Sequence, residues 1–77
     1  MFFSELQQKE MIDARSGELL GYIEDAEIRI DSGKIDFFYV SKPKKFYQMF
    51  QGEKKTIKVY IDDIFSIGKD VIIVYSK

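Results

Sequence analysis

The run from Leu20 to Val40, LGYIEDAEIRIDSGKIDFFYV, is dense in apolar and β-branched residues and carries one strong turn signal, at Ser32-Gly33. Glycine takes a positive φ at little steric cost, so this dipeptide predicts a tight turn between two antiparallel strands. A two-residue loop sets Asp31 opposite Lys34, Ile30 opposite Ile35, Arg29 opposite Asp36 and Ile28 opposite Phe37. Charge then meets opposite charge and apolar meets apolar, each pair contributing roughly 0.2 to 1 kcal/mol. A three-residue loop with a bulge at Gly33 opposes Arg29 to Ile35 and mixes the faces, so the two-residue turn is the expectation. Upstream the alternation slips, because Ile23 is apolar at an odd position whereas Ala26, Ile28 and Ile30 are apolar at even ones. One extra residue near Glu24-Asp25, a β-bulge, repairs it, and Gly21 is the natural corner.

The flanks supply the rest of a sheet. Ser4-Glu5-Leu6-Gln7 has capping-box form, and predicts one helical turn with Phe2, Phe3 and Leu6 pinned to the core. Glu10 to Asp13 reads as a first strand, followed by a turn from Ala14 that closes at Gly17. Thr56 to Ile61 places Ile57, Val59 and Ile61 on one face and Lys58 and Tyr60 on the other, a half-buried strand. Asp62-Asp63 breaks it, with Asp62 suited to cap a single helical turn. Ile64–Ile67 and Val71–Tyr75 are two further strands joined through Gly68-Lys69-Asp70. Six short strands and no long helix indicate an all-β fold, mainly antiparallel, closed as a small barrel with one or two helical turns.

Seventy-seven residues make one domain, 1–77, and 45% hydrophobic content makes it globular. A net charge of -1 supplies no whole-protein field towards nucleic acid or an anionic membrane. The chain has no Cys and no His, which removes thiol nucleophiles, Cys-ligated zinc and the commonest general base. MFFSELQQKEM has neither a basic leader nor an apolar run of signal-peptide length, and no segment reaches the length of a membrane span. A cytoplasmic location without membrane insertion is the expectation.

Leu6 with Lys9-Glu10 and Ile12, then Leu20-Gly21-Tyr22-Ile23-Glu24-Asp25, then the Ile28 to Ile35 hairpin, then Val59 to Val74 with Ile64, Ile67-Gly68 and Asp70-Val71-Ile72, together resemble a PRC-barrel domain. The length, the opening SELQ and the closing IGKDVIIV are most similar to the short YlmC/YmxH type associated with sporulation in endospore-forming bacteria. Tyr60-Ile61 stands where the family commonly has Pro-Trp, Gln8 where it has Gly, and the Ser32-Gly33 loop reads as shorter than usual. The resemblance implies an interaction or assembly module that is not an enzyme, and it carries over no catalytic residue.

Two constellations invite a sharper reading. Glu24-Asp25 with Glu27, and Asp62-Asp63, offer oxygen ligands for a divalent cation if they meet, but bulge and turn roles account for them and no metal or cofactor is expected. Lys42, Lys44 and Lys45 beside Phe46 and Tyr47 mix basic and aromatic residues as single-strand binders do. With no Arg among them and no basic excess, an RNA- or ribosome-associated adapter is the alternative rather than the main reading. Phe46, Tyr47, Met49 and Phe50 lie beside the Pro-Lys loop and outside any regular alternation. They are the candidate interaction surface, with a second copy as the first partner, through a two-fold contact with the same segment or an edge strand.

Overall fold

The central hairpin forms where the apolar run requires it, from β2 (Leu19–Ile28) and β3 (Ile35–Ser41). A computed structural model describes residues 1–45 and 54–75 of the chain. Before the hairpin come a short helix α1 (Phe3–Gln7) and β1 (Glu10–Asp13), and after it β4 (Thr56–Tyr60), a 3-10 turn (Ile61–Asp63), β5 (Ile64–Ile67) and β6 (Val71–Val74). The strands make one sheet in the order β4-β3-β2-β1-β6-β5. All its pairings are antiparallel except β1 with β6, which is parallel. Among the described residues β4 and β5 remain its two edges, so the expected closure into a barrel is not present as a hydrogen-bonded ring.

The hairpin register differs from the expected one. Arg29 N–H donates to Lys34 O at 2.8 Å and Gly33 N–H to Arg29 O at 2.7 Å, which makes a four-residue loop, Ile30 to Gly33. Ile28 faces Ile35, not Phe37, and Ile30 is fully exposed at the tip. A second irregularity between Glu27 and Ile28 uncouples the tip from the body, so no single rigid register runs through the hairpin. Below it Ala26 faces Phe38 and Glu27 faces Phe37, so the core-facing and outward positions separate despite the wider loop. Gly33 does take a positive φ, 72°, and the bulge expected at Glu24-Asp25 falls between Ile23 and Asp25. Asp25 Oδ1 accepts Ala26 N–H there at 2.8 Å.

That bulge puts Ile23 and Ala26 on one face, against Met11, Phe38, Val40, Val59, Ile72 and Val74, the buried core. Gly21 lies where β2 crosses the end of β3, with φ 137°. A Cβ there would sit inside van der Waals contact of the Ser41 carbonyl and 2.8 Å from Lys42 N, so the crossing needs glycine.

Helix α1 begins two residues earlier than a Ser4 cap requires: Phe2 is the cap residue, and no side chain caps the turn. The capping box is therefore unused. Leu6 packs on the core and Phe3 stacks on Phe38 at 6.2 Å between ring centroids, whereas Phe2 is exposed. The 3-10 turn is capped by Tyr60 without a side-chain bond, so Asp62 lies inside the turn and is not its cap, and Ile61 leaves the strand.

A buried lysine joins the beginning of the sheet to its far hairpin. Lys9 stands at the entry to β1 with its Nζ donating to Gly68 O at 2.8 Å and to Lys69 O. Glu10 N–H to Asp70 O and Ala14 N–H to Val74 O bracket the parallel β1–β6 pair. A buried ammonium is tolerable because these carbonyls replace its water.

Candidate interaction surface

The segment expected to carry the contact, Phe46, Tyr47, Met49 and Phe50, lies outside the described residues, but both of its flanks are described. Lys42, Pro43, Lys44 and Lys45 leave β3 and line a cleft of about 520 Å³ together with Gln7, Gln8, Tyr22, Glu24 and Ser41. Lys54, on the other flank, pairs with Glu24 at 2.5 Å. The sequence separates these groups widely. The Gly21 crossing and the Glu24 bulge bring them together, by turning the first half of β2 towards the end of β3.

Glu24 is the polar centre of this surface. Its Oε1 accepts Lys54 Nζ and Ser41 Oγ, and its main-chain carbonyl accepts Gln7 Nε2 at 3.0 Å. The hydrogen bond from Lys54, followed by that from Ser41, holds its carboxyl below the ordinary glutamate range. Lys42 and Lys44 are exposed on the rim. The lining thus combines ammonium, amide and phenol groups around one ionised carboxylate, which suits a polar peptide surface better than an anion-only site.

On the outward face of β3 and β4 lies a feature that single-strand alternation did not show. Phe37 faces Tyr60 and Tyr39 faces Lys58 across the ladder, opposite in direction to the core residues Phe38 and Val59. Phe37 meets Tyr39 edge-on at 5.1 Å and Tyr60 at 5.4 Å, and Lys58 Nζ lies 4.8 Å over its ring. The ring is buried without belonging to the core, a satellite cluster that stiffens this face. The signal was present in the outward assignment of Lys58 and Tyr60, but reading it needed the β3–β4 register.

The acidic groups do not converge on a common point: Glu24 and Asp25 are occupied at the bulge, and Asp62-Asp63 form the 3-10 turn. Among the described residues no three potential metal-ligating side chains come together. No described helix is long and apolar enough to cross a membrane.

Comparison with known proteins agrees with the architecture. The PRC-barrel domain profile matches residues 1–76. A relative described as "Probable sporulation protein YlmC", from Bacillus subtilis (strain 168), is 32% identical over 71 residues, covering 92% of this chain and 86% of the relative. A rolled, largely antiparallel sheet, a corner glycine at the β2 crossing and a match across almost the whole length lead to one assignment: the chain belongs to the PRC-barrel domain family.

Proposed function

We propose that this chain is a non-enzymatic interaction module that docks a protein partner at the cleft beside Glu24, in the cytoplasm and within a sporulation-associated assembly. The observation that carries this reading is the cleft itself, lined by the Lys42 to Lys45 flank of the aromatic segment with Glu24 and Ser41, while Lys54 of the other flank is held to Glu24. Phe46, Tyr47, Met49 and Phe50 then supply the apolar part of the contact, and Lys42 and Lys44 the polar rim, the usual division between an interface centre and its edge. The sporulation context rests on the printed name of the relative. The test is a photoreactive residue at Lys42 in the chain expressed during sporulation. One discrete crosslinked protein is expected, lost in Phe46→Ser with Phe50→Ser while the purified variant keeps its melting temperature. No crosslink from Lys42 or from Tyr22 would refute the reading.

A second reading follows from the same rim. Lys42, Lys44 and Lys45 on one side of the cleft, next to Tyr22, suit a ribosome- or RNA-associated adapter. Binding of single-stranded RNA that weakens steeply with salt and disappears in Lys44→Glu with Lys45→Glu would favour it. The absence of binding at low salt would end it.

A further inference from the structure

The two sheet edges are defended unequally. β4 carries Lys58 at its centre and Lys54-Lys55 just before it, the charges that keep an edge from pairing with another chain. β5 is Ile64-Phe65-Ser66-Ile67, without a charge or a proline, and its Phe65 is 77% and Ile67 48% exposed.

We propose that the outer edge of β5 pairs antiparallel with β5 of a second copy, about a two-fold axis between Phe65 and Ser66. The backbone determines this register. Tyr75 N–H donates to Asp63 O, and Gly68 N–H to Val71 O, so Asp63 and Gly68 point their polar groups towards β6. By the alternation of an antiparallel ladder, Ile64 and Ile67, the next positions inward, turn their N–H and C=O away from β6. The irregularity between Ile64 and Ser66 makes these two positions successive on the outer edge although three residues apart. Pairing Ile64 with Ile67 of a second copy, and the reverse, satisfies both sets at once, as an isologous contact requires.

The side chains agree with that register. Ile64 and Ile67 face Val74 and Ile72 across the ladder and so share the core face. In the pair, each half-exposed Ile67 lands on the Ile64 of the other copy and continues the core across the seam. Phe65 meets Ser66 on the other side. Beyond the strand, Asp62 of one copy approaches Lys69 of the other, opposite charges at both ends of the seam. The surface lies on other strands than the cleft, so it goes beyond the function proposed above. A chain that pairs through β5 yet never crosslinks at Lys42 would sink the cleft reading and leave this one standing.

Sedimentation equilibrium on the full chain tests it, with amide exchange followed as concentration rises. A monomer–dimer equilibrium is expected, with exchange at Ile64 and Ile67 slowing on association while Phe65 and Ser66 change little. Phe65→Lys with Ile67→Lys abolishes association, whereas Phe46→Ser with Phe50→Ser leaves it intact. Lys69→Glu weakens association about fivefold or more, and adding Asp62→Lys restores it, a pair of exposed substitutions that reads the seam even if the double lysine variant fails to fold. A chain monomeric at every concentration, a dimer lost only in the Phe46, Phe50 variant, or an edge that takes up another protein's strand and never its own would overturn the proposal.

Discussion

Replacing Lys9 with methionine keeps most of the buried stem and removes the ammonium, leaving the carbonyls of Gly68 and Lys69 without their donor. Hydrogen bonds to a charged group contribute roughly 1.5 to 3 kcal/mol each. Against that stands the desolvation of the buried charge, which the variant no longer bears. The net loss should be about 2 to 3 kcal/mol, a large fraction of the roughly 4 to 12 kcal/mol expected for a domain of this size. For a chain this short, that corresponds to a fall in melting temperature of about 10 to 20 °C. Thermal unfolding followed by circular dichroism measures it. Because the ammonium binds buried carbonyls rather than a surface carboxylate, the difference between wild type and variant should hardly change between about 0.1 and 1 M salt. A variant melting within about 3 °C of wild type, or a difference that vanishes in high salt, would refute the account of Lys9 as a buried clip.

Three further outcomes are expected. Gly21→Ala forces a side chain against the Ser41 carbonyl at an unfavourable φ, and should cost about 3 kcal/mol or more, read as loss of the cooperative melt. Gly33→Val should lower stability by roughly 1 to 3 kcal/mol because a β-branched residue is strained at φ 72°, although open space surrounds it; Gly33→Asn should be almost neutral by the same denaturation assay. Glu24 has a lowered carboxyl pKa, so its contribution is present above the ordinary value of 4.5 and is lost as pH falls through the folded one. Glu24→Gln should therefore flatten the acid limb of the stability profile and leave its alkaline limb in place, and an unchanged acid limb would contradict the Lys54 and Ser41 bonds.

Alternation of side chains reports faces, and what depended on faces was legible. The slip between Ile23 and Ala26 located the bulge, Gly21 located the crossing, and the alternation of Thr56 to Ile61 put Val59 on the buried face. The hairpin tip was not legible, because pairing rules assume one continuous register and the irregularity at Glu27/Ile28 breaks it. Ser4 resembled a cap in sequence, yet with Leu6 and Phe3 docked on the core the cap position falls at Phe2 instead. Lys9 gave no signal, since a lysine at a strand entry ordinarily faces water and its partners are main-chain carbonyls far along the chain. The cleft was half legible: the Lys42 to Lys45 run marked one wall, but Glu24 with Ser41 and Lys54 required the crossing at Gly21.

The parallel seam between β1 and β6 has a kinetic consequence. Lys9 and Gly68 are 59 residues apart, and closing a flexible loop of that length costs on the order of 3 to 4 kcal/mol in chain entropy before any contact repays it. The β1–β2–β3 meander and the β5–β6 hairpin each form between near neighbours, so docking the hairpin on β1 should be the last step of assembly and its reversal the first of unfolding. Contacts made late influence escape from the native state more than arrival at it. Methionine at position 9 should therefore speed unfolding and leave the folding rate nearly untouched, which makes the buried ammonium a latch on the lifetime of the folded chain.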